Sequence, residues 1–332
     1  MKVQYNVVDA RSPQLKGRIP YKITIAENGI PLFKWIFVGD KKFTEPFFEE
    51  SISYCLSLPQ NSNMPFTTAE TLLQKASSVE TVEPSAFIFH ISRCGSTLLA
   101  QMLSIDERFI VLSEVPLLDE LLRIPFSQNA KNISNGNVLF KAVLCLLGEK
   151  RSGKEKYLFV KTDSWHLLFF ETIRQLFPHV PAFLLYRSPK EVIRSQQKFR
   201  GMHAVPGPIQ PEIFGFTQER IAKLLPDEYF EIVLESYFTK CLEIVRADNR
   251  TRTLSYHDGA MEMLRSIIGL CGIPMDPEML ARMEKRTTHH SKHPENEFTV
   301  ESTLPETAHK TESEKLFGQL DAERKIRSML NQ

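Results

Sequence analysis

The segment "SRCGSTLL", residues 92–99, places a guanidinium, a glycine and two hydroxyls between an apolar stretch and a helix-like stretch. A turn that leads into a helix presents unpaired backbone N–H groups, and the helix dipole adds positive charge there. Gly95 lets an anion approach the backbone, Ser96 and Thr97 add hydroxyl donors, and Arg93 adds a fixed positive charge. We therefore expect an anion-binding turn; the alternative is an ordinary turn with a surface arginine.

A second segment, "YLFVKTDSW", ends an apolar stretch with Lys161 and Asp163 two residues apart. Alternate residues of an extended chain share a face, so both side chains are expected on one side. Lys161 would neutralise charge at an anion site, and Asp163 would orient or deprotonate a substrate hydroxyl. The alternative is a surface ion pair with a helix N-cap at Asp163 or Ser164.

A third segment, "AFLLYRSPKEVIRSQQKFR", has a strong helix-start signal. Ser188 at the N-cap, Pro189 at the first helical position and Glu191 at the third predict a capping box. Arg187 precedes the cap, and Ser195 follows eight residues later. The alternative makes Arg187 a surface charge and Ser195 an ordinary helix serine.

The segment "GEKRSGKE", residues 148–155, matches a G-x-x-x-x-G-K phosphate loop only in part. Glu155 stands where the magnesium-binding Ser or Thr belongs. The segment also follows a helix-like stretch and precedes an apolar one, the reverse of the order that a phosphate loop needs. We interpret it as a solvated basic loop.

Apolar runs alternate with helical patterns from residue 87 onward. The runs are "AFIFHIS", "FIVLS", "YLFVKTD", "PAFLLYRS" and "TRTLSY". This alternation predicts an α/β fold of three layers, a parallel sheet between helices. Ligands of such sheets bind beyond the carboxyl ends of the strands, where the three polar segments lie.

The first eighty residues have a different pattern and predict a small α+β addition. Asn28-Gly29 predicts a hairpin turn, and "FTEPFFEESISYCLSL" predicts a helix with Thr44 as N-cap and Pro46 in its first turn. The stretch "PQNSNMPFTTAE" is interpreted as a connection, and "ESEKLFGQLDAERKIRSMLNQ" as a terminal amphipathic helix. The predicted boundaries are 1–80, 81–300 and 301–332.

The amino-acid composition excludes several classes of protein. The 332 residues are 42% hydrophobic, enough for a full core, and 41 basic against 40 acidic residues predict no general attraction to nucleic acid or membrane. Five cysteines with no C-x-x-C pattern fit a reducing compartment. Without a signal core or an apolar run of membrane-spanning length, we expect a soluble, cytoplasmic protein.

Together, "RCGSTLL" and "YRSPKEVIRS" resemble the sulfotransferases that use 3′-phosphoadenosine-5′-phosphosulfate (PAPS), over about residues 87–275. The Arg-containing turn resembles that of the tyrosylprotein and carbohydrate sulfotransferases more than that of the cytosolic enzymes, which have a lysine there. The resemblance implies a P-loop-type fold whose turn binds the 5′-phosphosulfate through Arg93, Cys94, Gly95, Ser96 and Thr97.

The same resemblance assigns the rest of the nucleotide site. It implies that Arg187 and Ser195 bind the 3′-phosphate and that Tyr256 lies in the family's tyrosine-bearing turn. "VKTD" is similar to the family's Lys-Thr-His segment, with Asp163 in place of the histidine. By analogy with the family's C-terminal loop, Lys292 is expected to reach the cofactor.

Sulfuryl transfer requires stabilisation of negative charge on the departing phosphate oxygen, and Arg93 and Lys161 are suited to that role. The acceptor oxygen also needs a base, for which Glu114 and Asp163 are candidates. The resemblance to tyrosylprotein sulfotransferases favours Glu114, with a capping role as its alternative. A sulfuryl group carries less charge than a terminal phosphoryl, so no metal is expected.

The cluster "THHSKHPENEF" near the C-terminus contains His289 and His293 at metal-ligand spacing. Pro294 ends any helix there and no carboxylate or cysteine partner is evident, so a flexible basic loop is preferred to a zinc site.

We thus expect transfer of sulfate from PAPS to a hydroxyl or amine of a small-molecule or peptide acceptor, leaving adenosine 3′,5′-bisphosphate (PAP). The alternatives are an ATP-dependent small-molecule kinase and a nucleotide-binding protein without turnover. The sequence predicts neither the acceptor nor the oligomeric state.

Overall fold

The computed structural model describes residues 4–127, 133, 135–289 and 310–330. The strands are β1 (Arg18–Ile25), β2 (Pro31–Phe37), β3 (Phe66–Thr68), β4 (Pro84–His90), β5 (Phe109–Ser113), β6 (Tyr157–Lys161), β7 (Ala182–Tyr186) and β8 (Thr251–Ser255). The helices are α1 (Phe48–Leu56), α2 (Ala69–Ala76), α3 (Ser96–Leu103), α4 (Pro116–Leu122), α5 (Gly136–Leu147), α6 (Phe170–Leu176), α7 (Pro189–Lys198), α8 (Gln218–Ile221), α9 (Pro226–Ala247), α10 (Ala260–Leu270), α11 (Pro277–Arg286) and α12 (Glu312–Leu330).

The larger sheet confirms the predicted α/β class. It has five strands in the order β5-β6-β4-β7-β8, and each strand coincides with one of the five predicted apolar runs. The pairs β4–β7 and β7–β8 are parallel, with Phe87 opposite Ala182 and Ala182 opposite Thr251. Every residue of β5 and β7 is buried, as expected for strands covered by helices on both faces.

The predicted N-terminal hairpin is also confirmed. β1 and β2 pair antiparallel, and Gly29 at the turn has a φ of 79° and donates its N–H to the Ala26 carbonyl at 2.8 Å. This left-handed conformation explains the glycine. In β2, the buried Trp35 indole donates to the hydroxyl of Thr67, in β3, at 2.9 Å.

Two expectations for the N-terminal segment are wrong in detail. The supposed connection contains β3, which pairs with β2, and then α2, whose N-cap Thr68 accepts from the Thr71 N–H at 3.2 Å. Helix α1 begins at Phe48, after its N-cap Phe47, and Thr44 is not the cap. Instead, the Glu45 carboxylate accepts hydrogen bonds from Lys41, Ser51 and the Thr44 N–H and holds this segment in a bend.

The described residues form two compact units. One comprises Met1–Ser85 with Leu103–Val160, and the other comprises Ala86–Met102 with Lys161–Gln332. The predicted C-terminal helix is present as α12 in the second unit. Among the helices of the described ranges, none has the length and apolar character needed to cross a bilayer.

Candidate active site

The turn between β4 and α3 has an unusual backbone. Ser92 and Arg93 have φ values of 73° and 51°, and Gly95 has a φ of 83°. Positive φ is costly for residues with a Cβ and is concentrated at functional sites. The Gly95 carbonyl accepts the Leu99 N–H at 3.1 Å, so Gly95 stands at the start of the helix. Left-handed turns of this kind, followed by a helix N-terminus, form backbone cradles for anions.

Gly95 is required by both conformation and space. Its φ lies in the left-handed region, and an added Cβ would lie 3.3 Å from Tyr256 Cδ2 and 3.4 Å from Met263 Cε. The turn therefore packs directly against Tyr256, a residue about 160 positions later that the sequence analysis assigned to the same site.

His90, the last residue of β4, stabilises the turn through hydrogen bonds of its ring. Its Nδ1 accepts the Ser92 N–H at 3.1 Å, and its Nε2 lies 2.9 Å from the Thr162 carbonyl oxygen. Because Nδ1 is an acceptor, the proton of the neutral ring is on Nε2, which donates to Thr162. His90 thus joins the turn to the segment that carries Lys161 and Asp163.

Gln196 of α7 supports the same turn and was missed in the sequence analysis. Its Nε2 donates to the Ser92 hydroxyl at 3.0 Å, and its Oε1 accepts the Gly201 N–H at 2.7 Å. The side chain is only 1% exposed. The available signal was its spacing of four from Val192, a buried residue on the same helix face.

Arg93 and Cys94 face different surroundings. The Arg93 guanidinium donates to the Phe199 carbonyl, while the Cys94 thiol lies 3.4 Å from the Leu185 carbonyl. Burial raises the pKa of Cys94 to about 11, although backbone hydrogen bonds from Ile91 and Ser96 and the positive charges of Lys161 and Arg187 act in the opposite direction. Cys94 is therefore a neutral thiol packed against β7, and only its backbone is available to a ligand at the turn.

The segment after β6 is buried. Lys161 is 1% exposed, and Asp163 stands at the N-cap position of a 3₁₀ helix, Ser164–Phe169. The Asp163 N–H donates to His166 Nδ1 at 3.3 Å, and Asp163 Oδ2 lies 3.6 Å from His166 Nε2. Asp163 therefore occupies the N-cap position that the alternative interpretation of this segment predicted. It is buried, however, and its partner is His166.

Arg187 is held from three sides at the end of β7. Its Nε donates to Glu191 Oε2 at 3.1 Å, its Nη1 donates to the Arg93 carbonyl at 3.3 Å, and its guanidinium carbon lies 4.2 Å from the centre of the Tyr256 ring. The residue is 5% exposed. These contacts bring together three residues that the sequence placed in one nucleotide site.

The predicted capping box of α7 is not formed. Ser188 is the N-cap and Pro189 the first helical residue, as predicted, but the Ser188 side chain accepts no capping hydrogen bond within the described chain. The Glu191 carboxylate instead binds Arg187 and lies 3.2 Å from His257 Nε2. A charge-assisted hydrogen bond from the neighbouring guanidinium replaces the predicted cap contact of Glu191.

The remaining candidates are more dispersed. Ser195 is half-buried on α7, next to Gln196. His289 is described, and its carbonyl accepts from Arg286 Nη1 at 3.1 Å. Lys292 and His293 lie outside the described residues.

Glu114 directly follows β5 and belongs to the first compact unit. It is half-buried and has a φ of 55°. A left-handed glutamate at a strand end is a strained residue of the kind concentrated at functional sites.

No protein-family model and no curated protein matches this chain. Among solved structures, it is similar to the sulfotransferase domain from the curacin biosynthetic pathway, at 15% identity and a TM-score of 0.47, over 73% of this chain and 99% of that one. Sulfotransferase STF9 from Mycobacterium avium is 16% identical, with a TM-score of 0.48, over 76% and 81% of the two chains. Mouse sulfotransferase SULT7A1 complexed with PAP is 14% identical, with a TM-score of 0.33, over 66% and 71%. Each is a similarity of fold at low identity.

Proposed function

We propose that this protein transfers a sulfuryl group from PAPS to a hydroxyl or amine acceptor. The observation that carries the proposal is the contact of Arg187 with both the Arg93 carbonyl and the Tyr256 ring. Two motifs 94 residues apart in the chain are thereby joined at one anion-binding turn. A 5′-phosphosulfate at the turn and a 3′-phosphate at Arg187 would be bound by one continuous cluster.

On the 5′ side, the turn and two cations have distinct roles. The backbone N–H groups and the hydroxyls of Ser96 and Thr97 bind the phosphosulfate oxygens. The acceptor oxygen or nitrogen attacks sulfur, the bond from sulfur to the 5′-phosphate oxygen breaks, and PAP leaves with that electron pair. Arg93 and Lys161 stabilise the charge that develops on the departing phosphate.

The acceptor's proton must go to a base during the attack, and we assign Glu114 this role. Its left-handed backbone at the end of β5 supports a functional position. We also propose that the reaction needs no metal, because a sulfuryl group carries less charge than a terminal phosphoryl group. We further propose that the protein is cytoplasmic, since its five cysteines are free thiols.

On the 3′ side, Arg187 is oriented before a ligand arrives. Glu191 and the Tyr256 ring fix the plane of the guanidinium, so little side-chain entropy is lost on binding. Ser195 completes this part of the proposed site, as does Lys292 from the C-terminal segment.

The ATP-kinase alternative is less well supported. Its phosphate turn would need a lysine, but residues 93–97 read Arg-Cys-Gly-Ser-Thr. The alternative of a nucleotide-binding protein without turnover predicts PAP binding without sulfate transfer.

The test of this proposal is the effect of Arg187 on nucleotide selectivity. Removing Arg187 alone leaves the Glu191 carboxylate, which is 3% exposed, without its main partner and destabilises the fold. We therefore expect the double variant Arg187→Met/Glu191→Gln to be the informative one. It should weaken PAP about 10- to 100-fold by calorimetric titration and barely change AMP, which lacks the 3′-phosphate.

Two controls accompany the double variant. Glu191→Gln retains Arg187 and should preserve the preference for PAP over AMP. Arg250→Ala removes an exposed arginine just before β8 and should change neither affinity. Equal losses for PAP and AMP in the double variant would show that Arg187 does not bind the 3′-phosphate.

A further inference from the structure

Helix α12 contacts the end of strand β7 through a fully buried phenol. The Tyr186 hydroxyl donates to Asp321 Oδ1 at 2.7 Å and accepts from Arg324 Nε at 2.8 Å. Tyr186 has 0% exposure and immediately precedes Arg187. A hydrogen bond from α12 to Tyr186 therefore acts one residue from the proposed 3′-phosphate arginine.

The same Arg324 side chain also holds the end of strand β8. Its Nη1 donates to Asp258 Oδ2 at 2.9 Å, and that same carboxylate oxygen accepts the Ser255 N–H at 3.3 Å. Asp258 closes the short 3₁₀ helix Tyr256–Asp258, which carries the ring under Arg187. The Arg324 guanidinium thus contacts Tyr186, which precedes Arg187, and Asp258, which lies two residues after Tyr256.

Electrostatics fix the direction of these hydrogen bonds. Burial raises the pKa of Tyr186 well above its usual value, so the phenol keeps its proton. Burial also raises the pKa of Asp321, but hydrogen bonds from Lys325, Tyr186 and Arg324 outweigh this effect and leave it lowered. At neutral pH, a charged carboxylate accepts from the phenol while the guanidinium donates to it.

Helix α12 has further anchors that do not involve Arg324. Glu323 pairs with Arg246 of α9 at 2.6 Å, and Glu314 pairs with Lys190 at 2.7 Å. The Phe317 ring lies 5.9 Å from the Phe238 ring of the same helix α9. The docking of α12 therefore does not depend on Arg324 alone. A substitution of Arg324 can remove its contacts with the ends of β7 and β8 while α12 stays in place.

We infer that Arg324 and Asp321 are positioning residues that set the spacing between Arg187 and Tyr256 and thereby the preference for a nucleotide with a 3′-phosphate. This inference rests on the proposed function. The two residues act through Tyr186 and Asp258 and do not themselves touch the nucleotide. The C-terminal helix is thus part of the nucleotide specificity of the protein.

The experiment compares Arg324→Met with Glu323→Gln, which removes an anchor of the same helix remote from the strand ends. The dissociation constants of PAP and AMP are measured for each full-length variant. We expect Arg324→Met to reduce the PAP-over-AMP preference about tenfold through weaker PAP binding, with AMP unchanged. Glu323→Gln should leave both constants as in the wild type.

Equal weakening of PAP and AMP in Arg324→Met, or no weakening of either, would overturn the inference. If that variant does not fold, Tyr186→Phe decides, because it keeps the buried ring and removes only the hydroxyl. A reduced PAP preference is expected there, and an unchanged preference overturns the inference. A wild-type protein that does not prefer PAP over AMP would instead contradict the proposed function.

Discussion

Glu114→Gln should lower the rate of sulfate transfer by about 10²- to 10⁴-fold while PAP binding is retained. The amide keeps the shape of the side chain but cannot take the acceptor's proton. Glutamate and glutamine have the same size and shape, so the substitution does not change the left-handed backbone at residue 114. The expected loss of rate therefore comes from the missing base and not from a change in the fold. The measurement is the single-turnover rate with saturating PAPS, paired with the dissociation constant of PAP.

Asp163→Asn is the matched comparison for the base, and Glu107→Gln is the neutral control. Glu107 is exposed and forms a surface ion pair with Lys154 at 2.7 Å, so its loss should not change the rate. A larger effect of Asp163→Asn than of Glu114→Gln would move the base to Asp163. Wild-type rates in both variants would exclude both carboxylates as the base.

Arg93→Ala should reduce turnover by about 10²- to 10³-fold, a larger effect than its effect on PAPS affinity. The guanidinium is needed most when charge develops on the leaving phosphate as its bond to sulfur breaks, and bound PAPS does not yet carry that charge. The measurement is the single-turnover rate against the dissociation constant of PAPS.

The control for Arg93 must account for its second contact. Arg93 donates to the Phe199 carbonyl, so its removal also loosens the segment after α7. Arg200→Ala loosens the same segment by removing the ion pair with Asp227 at 2.6 Å, without removing a cation from the turn. Comparable losses of turnover in the two variants would assign the effect to the segment and remove Arg93 from the chemistry.

The strands of the larger sheet, the hairpin turn and the start of α7 were predictable because their signals are local. Five buried apolar runs gave the parallel sheet, and an Asn-Gly pair gave the hairpin turn. Strand β3 was not predictable in the same way, since its three residues gain their conformation from pairing with β2. Thr44 failed as a cap because the Glu45 carboxylate accepts hydrogen bonds from the Thr44 N–H and from Ser51, and the helix begins only at Phe48.

In the candidate site, too, some residues could be predicted from sequence motifs and others could not. Arg93, Arg187 and Tyr256 were grouped by the resemblance of their motifs, and Arg187 contacts each of the other two. Gln196 and His90 were missed because their roles depend on partners in distant segments. Glu191 was assigned to a capping box and binds Arg187 instead, because the guanidinium just before the helix offers it a charge-assisted hydrogen bond.

The identity of the nucleotide is most directly measured by the thermal stability of the wild-type protein with PAP, AMP, ADP and ATP, each at one concentration. A ligand at 100 times its dissociation constant stabilises the folded state by about 2.7 kcal/mol. AMP bound 10- to 100-fold more weakly would contribute only about 0.4–1.4 kcal/mol at that concentration. We predict that PAP raises the melting temperature clearly more than the other three nucleotides do. Stabilisation by ATP without stabilisation by PAP would contradict the assignment of a PAPS-dependent sulfotransferase.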